Sequence, residues 1–141
     1  MLKREQRTFS LQPASPDLYL RMDRDLDAPR KGRAAVARWC SHLEIPQDEC
    51  DLLRLLVSEL LSNAAQHSNG SGVTLAALQS ERKVLVTVTD SGTGELPRPR
   101  RPDPAGGGFG LYLLDSFAQE WGVERADGTR VWFLMDLDSE G

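Results

Sequence analysis

A carboxylate and a carboxamide stand one helical turn apart in the middle of the sequence, at Glu59 and Asn63. The apolar residues around them recur at helical spacing and predict a long amphipathic helix: Leu52, Leu53, Leu56, Val57, Leu60 and Ala64. Because His67 lies one further turn along, all three polar residues share one stripe beside the apolar face. A solvated surface stripe would produce the same pattern, so the helix alone leaves that interpretation open.

A second segment with chemical potential is Asp90-Ser91-Gly92-Thr93-Gly94, which follows a predicted strand. Asp90 is in phase with the valines of that strand and is expected to point toward the core side. The glycines would let the backbone adopt positive φ and approach a planar ligand, while the carboxylate accepts a hydrogen bond from an exocyclic amine. The alternative is that Asp90 merely caps the turn at Ser91-Gly92.

A third segment, Gly106-Gly107-Gly108-Phe109-Gly110-Leu111, leads into a predicted helix. Unpaired amide groups and the helix dipole at such a position favour a polyphosphate. No Lys-Ser or Lys-Thr follows, so the segment is not a Walker A loop, and it lacks the full dinucleotide fingerprint. A flexible hinge is the alternative for either glycine run alone. The three segments in this order, on these elements, favour a nucleotide site.

Composition narrows the class of protein. The 141 residues predict one domain, and a formal net charge of −4 argues against nucleic-acid binding as the main activity. Two cysteines, Cys40 and Cys50, without a Cys-x-x-Cys pair argue against zinc and indicate thiols in a reducing compartment. No apolar run reaches membrane-spanning length, and the N-terminus lacks a signal-peptide core. We therefore expect a soluble, cytoplasmic protein.

Hydrophobic periodicity and turn residues divide the chain into elements. Residues 1–15 are expected to form a flexible arm, residues 16–138 one domain, and residues 91–108 a long loop interrupted by four prolines. Helices are predicted over 27–43, 46–68 and 109–118. Strands are predicted over 17–26, 73–79, 83–90 and 129–137, with a short strand around Trp121 and Val123. In the last strand, Trp132 and Leu134 face away from the other apolar residues, which suggests either a surface for a partner or a covered edge.

These motifs resemble the four boxes of the GHKL (Bergerat-fold) ATPases. The boxes are Glu59-x-x-x-Asn63, Asp90-x-Gly92-x-Gly94, the Gly106–Leu111 run and Gly128-Thr129. Ser58–His67 and the segment 121–132 are most similar to the stand-alone anti-sigma-factor serine/threonine kinases of actinobacteria. The resemblance covers about residues 17–137. Phe109 departs from it, because members of that group often carry a polar or basic residue there.

The resemblance implies a fold and a set of roles. The fold is an α/β (α+β) two-layer sandwich with a mixed, mostly antiparallel sheet and helices on one face. Asn63 would ligate Mg²⁺, and Asp90, supported by Thr129, would accept the adenine amino group. Glu59 would orient or deprotonate the attacking hydroxyl. The remaining nucleotide-binding residues implied in this way are Gly92, Gly94, Gly106, Gly107, Gly108, Phe109, Gly110 and Leu111. His67 is better explained as a structural histidine.

The function implied by the resemblance is an ATP- and Mg²⁺-dependent protein serine/threonine kinase. It would phosphorylate an anti-sigma-factor antagonist and sequester a sigma factor, and it would form a homodimer. The alternative is a nucleotide-gated interaction module of the same fold without significant kinase activity, in which the 91–108 lid switches partner affinity. A sensor histidine kinase is disfavoured because no dimerisation helix with a phosphoacceptor histidine precedes the domain.

Overall fold

The computed structural model describes residues 16–67, 69–92, 110–125 and 127–137, without the side chain of His67. The predicted arm 1–15 and most of the 91–108 loop lie outside these residues. Eight helices and strands follow in chain order: β1 (Leu18–Asp23), α1 (Ala28–Leu43), α2 (Gln47–His67), β2 (Gly72–Ser80), β3 (Lys83–Asp90), α3 (Gly110–Phe117), β4 (Glu120–Arg125) and β5 (Thr129–Asp136).

The five strands form one sheet in the order β1-β2-β3-β5-β4. All four pairings between these strands are antiparallel. β3 lies in the centre, where Asp90 is paired with Val73 of β2 on one side and with Thr129 of β5 on the other. This arrangement confirms the two-layer α/β sandwich. The sequence predicted a mixed, mostly antiparallel sheet, and the described strands are all antiparallel.

One apolar core lies between the sheet and the three helices. Alternate residues of the strands point into it, including Leu75, Val84, Val86, Trp121 and Phe133. Its helical side comes chiefly from α1, α2 and α3, with Val36, Trp39, Leu53, Leu56, Val57, Leu60, Leu61, Leu111 and Leu114. Removing this much apolar surface from water is the main force that holds helices of this length on the sheet. The helices therefore cover one face, as expected.

Helix α1 packs closely against α2. At Gly32, any Cβ would collide with the side chain of Leu61, so glycine permits this close approach. In the same contact, the adjacent Arg33 donates from Nη1 to Ser58 Oγ at 2.7 Å. Asp27 occupies the N-cap position of α1, but its carboxylate makes no capping bond and pairs with Arg30 instead. That pairing lowers the pKa of Asp27.

The opposite face of the sheet carries a second apolar cluster. Leu85, Trp132 and Leu134 are 1%, 3% and 5% exposed and contact one another there. Of the two alternatives for Trp132 and Leu134, the exposed partner surface is therefore wrong, and their burial agrees with a covered face. The alternating pattern of β5 correctly predicted that both side chains point away from the main core. Such a pattern predicts the direction of a side chain, but it does not predict whether the face it points to is covered.

Both cysteines are buried and unpaired by disulfide. Cys40 ends the buried stripe of α1, and Cys50 lies in the first turn of α2. Burial, together with contact with the Cys50 thiol, raises the pKa of Cys40 to about 12. A neutral, buried thiol is a small apolar group rather than a nucleophile. No helix in the described part of the chain combines the length and hydropathy that a membrane crossing requires.

Candidate nucleotide-binding site

Helix α2 carries Glu59 and Asn63 at the edge of its buried face. The neighbouring residues Leu60 and Leu61 are buried in the core, whereas Glu59 and Asn63 are half-buried. Four residues of α-helix advance about 6 Å along the axis, so the two polar groups stand one above the other. The carboxylate and the carboxamide therefore border solvent from a rigid support.

The surroundings of Glu59 affect its protonation. Partial burial raises the pKa of the Glu59 carboxyl above its ordinary value, because the charged form loses hydration there. A carboxylate with a raised pKa is a better proton acceptor than an ordinary glutamate. Perturbed carboxyl groups at the edge of a core are characteristic of reaction sites, although buried structural ones also occur.

The end of β3 brings a second set of predicted residues together. Asp90 Oδ1 accepts the backbone N–H of Gly92 at 2.7 Å, which holds the carboxylate over the turn. Thr129 lies directly across from Asp90 in β5, and its hydroxyl lies 3.5 Å from the carbonyl oxygen of Gly92. Arg125 Nη1 donates to the same hydroxyl at 3.0 Å. Asp90, Gly92 and Thr129 thus form one corner at the end of the central strand.

Gly128 allows the β5 side of this corner to approach β3. Its φ is +135°, and a Cβ at this position would collide with the carbonyl oxygen of Asp90. Asp127, its neighbour in the β4–β5 turn, has a φ of +53°. A larger residue at 128 would be strained by its backbone and would push Thr129 away from Asp90.

Three residues of this region were not identified from the sequence. Arg24 follows β1 and contacts the end of α2, Gly70 lies in the α2–β2 connection, and Ser91 follows Asp90. Ser91 lies within the Asp90–Gly94 segment but at a position to which the motif assigns no role, and Arg24 belongs to no motif. Only the Asn69-Gly70 dipeptide is a recognised signal, and it is typical of a turn or a helix end rather than of a binding site.

The glycine run is only partly visible in the structure. Helix α3 begins at Gly110, and Leu111 is buried against α2 and the sheet. Near its end, Asp115 Oδ1 accepts the indole N–H of Trp121 at 3.1 Å, which ties the helix to β4. Gly94, Gly106, Gly107, Gly108 and Phe109 lie outside the described residues.

The described side chains do not contain a preassembled metal cage. Within residues 16–67, 69–92, 110–125 and 127–137, no group of three or more His, Cys, Asp or Glu is placed to hold a metal ion. A cluster of three or more such side chains is typical of zinc or calcium sites rather than of magnesium sites. Mg²⁺ keeps several waters and takes phosphate oxygens, so it requires few protein ligands. A single oxygen donor such as Asn63 fits this mode of binding.

Comparison with known proteins defines the class. The histidine kinase-like ATPase domain family matches residues 22–135, which contain every described residue of the candidate site. The chain therefore belongs to the histidine kinase-like ATPase domain family.

Particular relatives narrow this assignment. The chain is 30% identical over 114 residues to the anti-sigma F factor of Clostridium acetobutylicum, covering 73% of this chain and 80% of that protein. It is 29% identical over 106 residues to the sensor histidine kinase GraS of Staphylococcus epidermidis, covering 62% of this chain and only 31% of that protein. The match to the anti-sigma factor therefore extends over most of both chains, whereas the match to GraS covers under a third of that protein.

A solved structure supports the fold independently. The crystal structure of the RsbU and RsbW domains of Rv1364c from Mycobacterium tuberculosis is similar with a TM-score of 0.64 and 19% identity. The similarity covers 86% of this chain and 33% of that longer chain. At this identity it supports the arrangement of helices and strands and nothing finer.

Proposed function

We propose that this protein is an ATP-binding serine/threonine kinase that phosphorylates an anti-sigma-factor antagonist and sequesters a sigma factor. One observation carries the proposal. Glu59 and Asn63 border solvent from α2, while Asp90, Gly92 and Thr129 form a corner at the end of β3, and this pairing occurs in a chain similar to an anti-sigma F factor along most of its length.

The corner at Asp90 would bind the base. Gly92 holds one carboxylate oxygen, so the carboxyl plane is oriented before a ligand arrives. The other oxygen would receive the exocyclic amino group of adenine, and Thr129 would support the same edge. A guanine would present a carbonyl oxygen there, and an acceptor facing a carboxylate is repelled. The chemistry of this corner therefore favours ATP over GTP.

The N-terminus of α3 and Asn63 would bind the phosphates. Backbone amides of Gly110 and Leu111 at the start of α3, and of Gly108 in the preceding glycine run, would donate to phosphate oxygens, aided by the helix dipole. Asn63 would hold Mg²⁺ through its side-chain oxygen, and the ion would supply charge neutralisation on the phosphates. The 91–108 segment would serve as the lid, within a domain spanning 16–138.

Glu59 would act on the acceptor hydroxyl. Its carboxylate would orient a serine or threonine hydroxyl of the antagonist and accept its proton as the hydroxyl oxygen attacks the γ-phosphorus. The bond between the γ-phosphorus and the bridging oxygen of ADP breaks in the same transfer. Because Glu59 is on the same helix as Asn63, one rigid element would align the acceptor and the terminal phosphate.

The pH dependence of transfer follows from the state of Glu59. Since burial raises the pKa of Glu59, its carboxylate is lost at a higher pH than for an ordinary glutamate. The rate at saturating ATP and substrate is therefore expected to fall as the pH decreases through that raised pKa and to be constant above it. Measuring transfer rates and ATP affinity over the same pH range checks this. An acidic limb in the affinity but not in the rate would contradict the assigned role.

The proposal is tested by phosphotransfer in vitro. The purified chain, with a candidate sigma factor bound, is incubated with Mg²⁺, γ-³²P-ATP and candidate antagonist proteins encoded by the same genome. Modified residues are then mapped by mass spectrometry. We expect one antagonist to be labelled on a serine or threonine. We also expect the unphosphorylated antagonist to release the bound sigma factor before it is phosphorylated. ATP binding without labelling of any candidate would instead support the nucleotide-gated interaction module.

A further inference from the structure

The connection between α2 and β2, residues 69–71, is held from one side by Arg24. Its backbone N–H donates to the carbonyl oxygen of Ser71 at 2.9 Å, and its Nε donates to the carbonyl oxygen of Gly70. Its Nη1 also donates to the carbonyl oxygen of Ala65 at 2.6 Å. Ala65 is in the last turn of α2, where carbonyl groups lack helical partners and a cation is favoured by the helix dipole. Arg24 therefore joins the end of α2 to the connection.

Ser91 holds the same connection from the other side. Its hydroxyl oxygen accepts the backbone N–H groups of Ser71 at 3.0 Å and Gly72 at 3.2 Å, and its own N–H donates to the Gly72 carbonyl at 3.1 Å. Gly70 lies so close that any Cβ would collide with Ser91 Oγ. No side chain therefore separates the connection from the turn that follows Asp90, and small displacements of one are transmitted to the other.

Together these contacts form a clasp, defined by Arg24, Gly70 and Ser91, between the two halves of the proposed nucleotide site. Asn63 is two residues before Ala65 on α2, and Asp90 directly precedes Ser91. Asn63 and Asp90 belong to different elements, α2 and β3. The clasp joins the end of α2, close to Asn63, to the turn that follows Asp90.

We infer that Arg24 and Ser91 are positioning residues that set the separation between the metal-binding and base-binding groups. This inference rests on the proposed function. Neither residue is placed to touch the nucleotide in that proposal. A ligand that engages only the base side, such as ADP without metal, requires Asp90 alone to be well placed. Mg²⁺-ATP must engage Asp90 and Asn63 at once and therefore depends on their separation.

The test compares two ligands in matched variants by titration calorimetry. ADP in EDTA and ATP in Mg²⁺ are titrated into wild type, Arg24→Gln, Ser91→Ala and Ser91→Thr. Arg24→Gln and Ser91→Ala are each expected to weaken Mg²⁺-ATP binding about tenfold and ADP binding less than about twofold, within the usual range of coupling between sites. Ser91→Thr keeps the hydroxyl acceptor and is expected to bind Mg²⁺-ATP with the affinity of the wild type.

Two controls separate positioning from loss of stability. Arg30→Gln removes an exposed arginine that pairs only with the nearby Asp27 in the described contacts, and it is expected to change neither affinity. Val36→Ala opens a cavity in the core away from the clasp and lowers the melting temperature without selective loss of Mg²⁺-ATP. If Arg24→Gln fails to fold, the Ser91→Ala and Ser91→Thr pair decides the question.

The outcomes distinguish this inference from the proposed function. Equal weakening of both ligands in Arg24→Gln and Ser91→Ala, or unchanged Mg²⁺-ATP binding in both, overturns the clasp as a positioning device while wild-type ATP binding stands. Failure of wild type to bind either ligand overturns the proposed function, and the inference with it. Selective loss of Mg²⁺-ATP affinity, restored by Ser91→Thr, supports the inference.

Discussion

Replacing Asp90 with asparagine is expected to weaken ATP binding about 100-fold. The asparagine oxygen can still accept the Gly92 N–H, which leaves the new amide NH₂ facing the adenine amino group. The substitution removes the hydrogen bond from the adenine amino group to a charged carboxylate, and it places two hydrogen-bond donors, the asparagine NH₂ and the adenine amino group, against each other. Together these cost about 3 kcal/mol, which corresponds to roughly a hundredfold in Kd. Titration calorimetry with ATP measures the effect.

A matched control isolates the chemistry of this carboxylate. Asp136→Asn makes the same substitution at the far end of β5, where the exposed side chain pairs with Lys83 at 3.8 Å. Such a surface pair contributes little to stability, and the variant should bind ATP as wild type does. Melting temperatures of both variants exclude general destabilisation. ATP affinity retained in Asp90→Asn would show that the base does not bind at this corner.

Replacing Glu59 with glutamine is expected to slow phosphoryl transfer by about 10²- to 10⁴-fold, the usual contribution of a positioned general base. The amide keeps the size of the side chain and cannot accept the proton of the acceptor hydroxyl. ATP affinity should remain within about twofold, since Glu59 is assigned no contact with the nucleotide. Removing a partly buried carboxyl whose pKa burial raises should leave stability unchanged or increased. Initial rates of label transfer at saturating ATP provide the measurement.

Glu81→Gln serves as the control for this variant, because Glu81 lies exposed in the β2–β3 turn, away from α2. Its transfer rate should equal that of wild type. A Glu59→Gln variant that transfers phosphate at the wild-type rate would remove Glu59 from the reaction. A variant that loses both ATP affinity and transfer would instead place Glu59 in nucleotide binding.

Periodicity was enough to predict the main elements. The helix expected over 46–68 is found at Gln47–His67, and the strand expected over 83–90 is found at Lys83–Asp90. Both segments bury one face along their length, so the apolar spacing reports their geometry directly. The same reasoning placed Glu59 and Asn63 at the edge of a buried face and Asp90 at the end of a strand. Their roles toward a nucleotide remain predictions.

Contacts between distant turns could not be predicted in this way. Arg24 meets its partners 46 and 41 residues away, and Ser91 meets Ser71 across 20 residues. Turn residues have no periodic spacing from which such contacts could be predicted. The order of elements along the chain also does not predict the strand order β1-β2-β3-β5-β4, in which β5 lies between β3 and β4. The apolar cluster of Leu85, Trp132 and Leu134 shows the same limit, because a strand pattern gives direction without coverage.

Calorimetric titration of wild type with ATP, in the presence and absence of Mg²⁺, tests the central claim most directly. The proposed site predicts saturable binding of one ATP per chain, tighter with Mg²⁺ because the ion joins the phosphates to Asn63. The same titration with GTP should give much weaker binding, since the corner at Asp90 repels a carbonyl oxygen. Absence of ATP binding at millimolar concentration, or equal binding of ATP and GTP, would contradict the assignment of this site.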